Sequence, residues 1–234
     1  MYPDDCLQQL FPDDNWWIED ENHDYSAGRL LWAFVPHVDQ VPFALIPEGR
    51  AEPTNHSAAK YLIKPIQIKR PSKEALLPVA AFPSYPGEVR AVYRAKKRPV
   101  LVIGTGSKKV PNELRHGYPK WQTNPTILVA PYYGIESTHG RGGWPQKLID
   151  RIRRCEYPQY FWDILPVSGS HEGSVLRLDQ LQPIGHHHDS LEWTKYRLNE
   201  EAMDLLREQI TWLLWSKLPE DSLFLEMREE LLAL

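Results

Sequence analysis

The sequence RPVLVI, residues 98–103, decides the fold, and the basic pair Lys96-Lys97 stands directly before it. Val100–Ile103 is a short apolar run of the β-branched and aliphatic residues that favour a pleated, half-buried surface. The run therefore predicts a strand. The chain before Pro99 would hold Arg98 at the end of that strand, where its permanently charged guanidinium is either a binding group for an anion or a solvated arginine of the Lys-Lys-Arg turn.

Outward from this strand, the chain up to about residue 198 is divided into short pieces by most of its 21 prolines and 13 glycines. Short apolar runs between turn residues predict strands and not long helices. The prediction is a mainly β fold with helices at the C-terminal end, of α+β class. The other predicted strands are Leu30–Val35, Val41–Ile46, Tyr61–Ile68, Val89–Tyr93, Thr126–Ala130 and Ser174–Leu178.

Residues 199–234 have a different pattern. Asn199 can cap a helix, and Glu200 and Glu201 suit the positive end of its dipole. Apolar residues then recur at helical spacing from Met203 to Leu214, so a helix is predicted to end near Leu218, and a second amphipathic helix is predicted after Pro219. Both apolar faces are interpreted as packing faces, against the rest of the fold or against a second subunit.

The composition, 42% hydrophobic and 25% charged, is that of an ordinary globular protein. No apolar run approaches the roughly 20 residues that cross a bilayer, and the acidic N-terminus lacks the features of a signal peptide. Cys6 and Cys155 are far apart in sequence and predict free thiols. We therefore predict a cytoplasmic protein that has no association with a membrane.

The net charge of −4 conceals an uneven distribution. Residues 1–25 carry eight acids and no Lys or Arg, and residues 199–234 carry nine acids and three bases. The segment between them has 14 acids and 24 bases, about +10. A basic central region suits a polyanionic partner, whereas the acidic ends either fold back onto it or keep the protein in solution.

Two further blocks accompany RPVLVI in chain order, and YPGEV at residues 85–89 precedes all three. They are PTILVAPYYG, residues 125–134, and GSVLRLDQLQPI, residues 173–184. Together these blocks resemble the MazF/PemK family of toxin–antitoxin endoribonucleases over about 100 of the 234 residues. The resemblance implies an SH3-like barrel that forms a homodimer, cleaves single-stranded RNA without metal or cofactor, and is neutralised by an antitoxin protein.

On this basis the chain divides into three segments. Residues 1–80 are predicted as an acidic extension whose short strands pack on the barrel. Residues 81–198 are predicted as the MazF/PemK-like barrel, and residues 199–234 as the two helices.

The resemblance also implies site residues. Arg98 matches the family's catalytic arginine, and Tyr133 stands where the family has a threonine or another hydroxyl residue. Glu88 and Asp179 are the candidate carboxylates, and Asp179 either orients Arg98 or caps a turn. Cations interleaved with aromatic residues predict a single-strand binding surface. The candidate RNA-binding residues are Lys96, Lys97, Arg141, Trp144, Gln180 and Gln182.

Two functions stay open at this point. Arg98 favours a metal-independent endoribonuclease in which the ribose 2′-OH attacks phosphorus. Tyr133 in place of threonine, and Gln182 where the family often has a basic residue, favour an inactive barrel that binds RNA or protein.

The acidic segment 11–21, which contains Trp16 and Trp17, allows a further hypothesis. The segment either lies across the basic surface as a built-in inhibitor or packs on the barrel through its tryptophans.

Overall fold

The computed structural model describes residues 2–11, 15–52, 54–55, 58–67, 88–105, 110–118, 126–137, 142–167, 173–185 and 190–234. The chain forms two compact units. The first comprises residues 1–34 and 97–234, and the second comprises residues 35–96. The first unit thus takes residues from all three of the predicted segments.

The first unit is built on an eight-stranded antiparallel sheet that is strongly curled into a half-barrel. Seven strands follow one another in the order β1-β11-β2-β6-β7-β9-β8, and β10 pairs with β7. The predicted mainly β, α+β class is confirmed at this level. The strands are β1 (Trp17–Glu19), β2 (Arg29–Pro36), β6 (Ala95–Gly104), β7 (Ile127–Gly134), β8 (Tyr160–Asp163), β9 (Ser174–Arg177), β10 (Gln182–Ile184) and β11 (Leu191–Leu198).

Strand β7 pairs with three neighbours. Along one edge it pairs with β6. Along the other edge it pairs first with β10, at residues 127–129, and then with β9, at residues 132–134. Pro131, which has no N–H to donate, lies between the residues that pair with β10 and those that pair with β9. A proline can therefore stand inside this central strand, and the strand continues beyond Ala130, where the sequence analysis ended it.

The described helices are α1 (Leu7–Leu10), α2 (Asn112–Arg115), α3 (Gln146–Arg153), α4 (Glu200–Trp215) and α5 (Leu223–Ala233). A short 3-10 helix, Leu178–Gln180, joins β9 to β10. The two predicted C-terminal helices are confirmed. The Asn199 side chain caps α4 by accepting a bond from the Ala202 N–H, as predicted, and Ser222 caps α5 in the same way. In the described part of the chain, none of the helices has the length and apolarity to span a membrane.

The curled sheet separates two apolar clusters. Tyr132, Phe161 and Leu176 belong to the main core, which α4 and α5 complete with Leu206 and Phe224. The opposite face carries a smaller cluster around helix α3, made of Cys6, Ile149, Ile152, Trp162 and Val175. Cys6 and Cys155 are buried free thiols, as predicted.

The N-terminal residues are part of this unit. Trp16 is only 2% exposed, and β1 pairs with β11. Trp16 and Trp17 donate indole hydrogen bonds to the buried Asp163 carboxylate, as do the hydroxyls of Tyr2 and Tyr132. The tryptophans of segment 11–21 therefore act as packing residues, in agreement with the second of the two hypotheses for that segment. Residues 12–14 lie outside the described residues.

The second unit contains a three-stranded antiparallel sheet in the order β4-β3-β5. Its strands are β3 (Phe43–Arg50), β4 (Ala59–Pro65) and β5 (Ala91–Val92). Its small apolar cluster consists of Ala44 and Ile46 with Ile66 packed against them. The predicted strands overlap those of the structure in both units, although Ile68 at the end of one prediction lies outside the described residues.

Candidate nucleic-acid interface

Arg98 and Tyr133 meet through the register of β6 and β7. Val100 pairs with Pro131 and Leu101 with Ala130. Continuing this antiparallel register by two residues sets Arg98 opposite Tyr133, on the same face of the sheet. The Arg98 guanidinium carbon lies 3.9 Å from the centroid of the Tyr133 ring. The Tyr133 hydroxyl donates a 2.6 Å hydrogen bond to Oε1 of Gln180.

Arg177 on β9 is the second arginine of this surface. Its guanidinium lies between two rings, 5.7 Å from the centroid of Tyr133 and 5.2 Å from that of Tyr160. Asp179 accepts two hydrogen bonds from it, of 2.7 and 2.6 Å. These bonds are the main cause of the raised pKa of Arg177. Asp179 therefore orients Arg177, whereas the sequence analysis considered it for Arg98.

The contacts continue past Tyr160. Trp144 meets the Tyr160 ring edge to face, with ring centroids 5.6 Å apart. Tyr157 lies 6.1 Å from Tyr160, and the Arg151 guanidinium lies 4.9 Å from the Tyr157 ring. Arginines and tyrosines thus alternate across the adjacent strands β6, β7, β9 and β8 from Arg98 to Tyr160, and the contacts then continue through Tyr157 to Arg151 on helix α3. We call this set the arginine–tyrosine row: Arg98, Tyr133, Arg177, Tyr160, Tyr157 and Arg151.

The row is buried at one end and open at the other. Arg98 and Gln180 are 7% and 8% exposed, whereas the Arg151 side chain is 56% exposed. Gln182 is also buried, at 7%, and it pairs with Val129, whose side chain projects from the Tyr133 face of β7. Among the described residues, Nε2 of Gln182 has no hydrogen-bond partner. The buried end therefore combines a fixed guanidinium with two carboxamides.

A turn anchored by helix α4 carries the open end. The side-chain N–H group of Gln209 donates to the carbonyl oxygens of Tyr157, Pro158 and Tyr160, at 3.3, 3.3 and 2.8 Å. Gln209 is fully buried. Because the Gln209 amide bonds three carbonyl oxygens of this turn, it fixes the turn. The positions of Tyr157 and Tyr160 relative to the sheet are fixed with it.

The structure brings together five of the ten candidate residues named from the sequence. Arg98, Tyr133, Asp179 and Gln180 belong to the row or bond to it, and Trp144 packs at its open end. Gln182 projects from the same face as Tyr133. Sequence reasoning missed Arg177, Tyr160 and Tyr157. Only Arg177 had a signal, because it stands two residues before Asp179 in the third block.

The remaining four candidate residues are Lys97, Lys96, Glu88 and Arg141. Lys97 projects from the face of β6 opposite to Arg98, pairs with Glu192, and lies 5.6 Å from the Trp32 ring. Glu88 is an exposed residue of the second unit, and Lys96 is an exposed residue of β6, two residues before Arg98 and on the same face of the strand. Arg141 lies outside the described residues.

The site chemistry is that of cations held against aromatic faces. A guanidinium over a ring is attracted by the ring's quadrupole, and its planar N–H groups can bond acceptor oxygens, as those of Arg177 do with the Asp179 carboxylate. Such pairs suit a ligand that offers both phosphate oxygens and flat, unstacked bases. Within the described ranges, no group of three or more His, Cys, Asp or Glu side chains is arranged to hold a metal ion.

Comparison of the chain with models of protein families, with curated proteins and with solved structures gives no match. The resemblance to MazF/PemK toxins consequently depends on the three sequence blocks alone.

Proposed function

We propose that this protein binds single-stranded RNA through the arginine–tyrosine row. The observation that carries the proposal is the stacking of Arg98 on Tyr133 at 3.9 Å, with the Tyr133 hydroxyl held by Gln180. A guanidinium fixed in this way loses little conformational freedom when it binds a phosphate. Charge-assisted bonds to phosphate oxygens are among the stronger hydrogen bonds that proteins make.

The open end of the row supports the same proposal. Tyr160, Tyr157 and Trp144 are partly exposed rings that lie between Arg177 and Arg151. Stacking on aromatic side chains is how proteins hold the unstacked bases of a single strand, and nearby cations contact its backbone. The order of cation, ring and cation along the row suits a single RNA strand that runs across several β-strands.

The barrel type belongs to the proposal. Arg98, Tyr133 and Gln180 come from the three blocks that resemble the MazF/PemK family, and in the structure they are in contact. This convergence supports an SH3-like, MazF/PemK-type barrel. With that family we also propose a homodimer in the cytoplasm and an antitoxin partner.

Metal-independent cleavage is the second candidate function, and the position of the Tyr133 hydroxyl favours it. Cleavage requires a base for the 2′-OH, an acid for the leaving oxygen and a cation for the phosphorane charge. Arg98 supplies the cation, and Tyr133 is a proton donor in contact with it. However, Asp179, the candidate carboxylate of the first unit, is engaged by Arg177. The geometry therefore supports binding better than cleavage.

The test is a titration of labelled single-stranded RNA of mixed sequence, followed by anisotropy and, in parallel, by gel electrophoresis. Arg98→Met removes the charge but keeps much of the side-chain volume. We expect it to weaken binding about 10–100-fold, which corresponds to the loss of charge-assisted hydrogen bonds. The salt dependence of log K should also decrease by about 0.7, as for one phosphate contact on a single strand.

Arg207→Met is the matched control, because Arg207 is an exposed arginine of α4 in an ordinary ion pair with Asp204. It should leave RNA affinity unchanged. If the wild type binds RNA no better than Arg98→Met does, the proposed function is wrong. If the gel shows cleavage by the wild type that Arg98→Met lacks, the second candidate replaces the first.

A further inference from the structure

A second cluster of charged and aromatic side chains lies on the other face of β6 from Arg98. Trp32 and Phe34 project from the same face of β2, and Glu192 of β11 stands opposite Trp32 in the register. With Lys97 they line a pocket of about 200 Å³. We call these four residues the tryptophan pocket. Phe34 is 61% exposed and Trp32 is partly exposed, so both rings are accessible to solvent.

Lys97 indicates the chemistry that this pocket accepts. Its ammonium group lies 5.6 Å from the centroid of the Trp32 ring and forms an ion pair with the Glu192 carboxylate. The pocket thus already holds a cation between an aromatic face and a carboxylate. The indole of tryptophan is the side chain that attracts cations most strongly through its face.

The internal cation is weakly held. The side chains of Lys97 and Glu192 are 50% and 59% exposed, and an ion pair of that exposure contributes little to stability. A lysine stem is also flexible, so the ammonium can move into water without disturbing β6. A primary ammonium is strongly hydrated, which limits its attraction to a ring. A methylated ammonium ion sheds water more easily and offers more surface to two rings.

We propose that the tryptophan pocket is a binding site for a methylated ammonium group, which exchanges with the ammonium of Lys97. Trp32 and Phe34 contact the methyl groups, and the Glu192 carboxylate balances the charge. The group belongs either to a small choline-like molecule or to a methylated lysine side chain. The proposal is independent of RNA binding, because its residues lie on the opposite face of β6 from the arginine–tyrosine row.

The test is a calorimetric and NMR titration of the full chain with choline, with Nα-acetyl-trimethyllysine amide, and with 3,3-dimethylbutanol. The last compound has nearly the shape of choline and no charge. We expect saturable binding of the two cations and none of the alcohol. Lys97→Met keeps the aliphatic stem and removes the competing cation, so it should bind the cations at least fivefold more tightly than the wild type.

Two further variants make the test specific. In the Lys97→Met background, Trp32→Leu should abolish binding and Glu192→Gln should weaken it severalfold. Lys97→Gln serves as a second charge-removing variant if Lys97→Met folds poorly. A preference for choline over the lysine derivative identifies a small-molecule site, and the reverse preference identifies a peptide site. Equal binding of the uncharged alcohol, or no gain in affinity on removal of the Lys97 charge, would overturn the proposal.

Discussion

Tyr133 makes contacts through both parts of its side chain. Its ring lies under the Arg98 guanidinium, and its hydroxyl bonds to Gln180. Sequence reasoning selected this position because the family resemblance places a hydroxyl residue there. It did not predict the stacking, since that contact depends on the register between β6 and β7. A pattern within one strand does not determine the residue that stands opposite it.

Substitutions at Tyr133 separate the ring from the hydroxyl. Tyr133→Phe keeps the ring and removes the bond to Gln180, so RNA affinity should stay within about threefold of the wild type, the loss expected for one ordinary hydrogen bond. Tyr133→Leu removes the ring that fixes Arg98, and affinity should decrease at least about fivefold, as expected for one cation–π pair. Anisotropy titrations at one salt concentration measure both.

The same pair of variants tests the role of the hydroxyl in chemistry. If the protein cleaves RNA with Tyr133 as the acid, Tyr133→Phe will abolish cleavage and keep binding. Tyr2→Phe is a matched control, because it also removes one tyrosine hydroxyl but at the Asp163 cluster, away from the row. Equal affinity of Tyr133→Leu and wild type would contradict the proposed role of the ring.

At the scale of elements, the turn at residues 157–160 depends on helix α4. Gln209 is fully buried and binds three carbonyl oxygens of that turn. Gln209→Ala should lower the free energy of unfolding by about 1–3 kcal/mol, because buried acceptors lose their donor. It should also weaken RNA binding under conditions where the protein is folded, since Tyr157 and Tyr160 lose their fixed positions. Urea denaturation and anisotropy measure the two effects.

Gln146→Ala is the control for this experiment. Gln146 is an exposed residue of helix α3, and its amide donates to Asp150. Its removal should change stability by less than about 0.5 kcal/mol. Unchanged stability and unchanged RNA affinity in Gln209→Ala would show that the turn holds its shape without the helix.

Sequence patterns predicted the elements whose signal is local. Strand β2, the apolar part of β6 and the capped helix α4 all show clear periodicity or caps, and the structure confirms them. Strands β1 and β11 were not predicted, because the short WIE and the strongly polar LEWTKYRL lack a continuous apolar run. These two strands form by pairing with each other, although they lie near opposite ends of the sequence. Long-range pairing of this kind leaves little trace in a local window of sequence.

At the scale of the whole first unit, Asp163 links the N-terminal residues to the sheet. It is fully buried, and its carboxylate accepts bonds from Trp16, Trp17, Tyr2 and Tyr132. Burial raises its pKa to about 7, although the hydrogen bonds from Trp16, Tyr2 and Trp17 and from the Ile164 backbone N–H favour the charged carboxylate and lower the pKa. The pKa of the nearby Cys6 thiol is raised to about 11, mainly by burial and also by the Asp163 charge.

This raised pKa predicts how stability changes with pH. The folded state holds the Asp163 proton more tightly than the unfolded state does, so its contribution is fully present below about pH 4. This contribution decreases as the pH rises from about 4 to about 7. Above that pH, stability no longer changes with the ionisation of Asp163. Across that window Asp163 should remove a few kcal/mol of stability. In Asp163→Asn this component of the pH dependence should be absent, as measured by urea denaturation at a series of pH values.

Asp204→Asn is the control, because Asp204 is an exposed carboxylate of α4. It should keep the wild-type pH profile between pH 4 and 7. A profile for Asp163→Asn that is superimposable on that of the wild type would show that Asp163 does not titrate in this range.

The position of the N-terminal tryptophans has a consequence for synthesis on the ribosome. Trp16 finds its stacking partner Phe161 and its acceptor Asp163 only after about 145 further residues have been added, and β1 finds β11 later still. At a typical elongation rate of about 5–20 residues per second, on the order of ten seconds pass before the two indoles of the emerging segment reach these partners. The many acidic residues around those tryptophans would keep this waiting segment soluble until the rest of the sheet has formed.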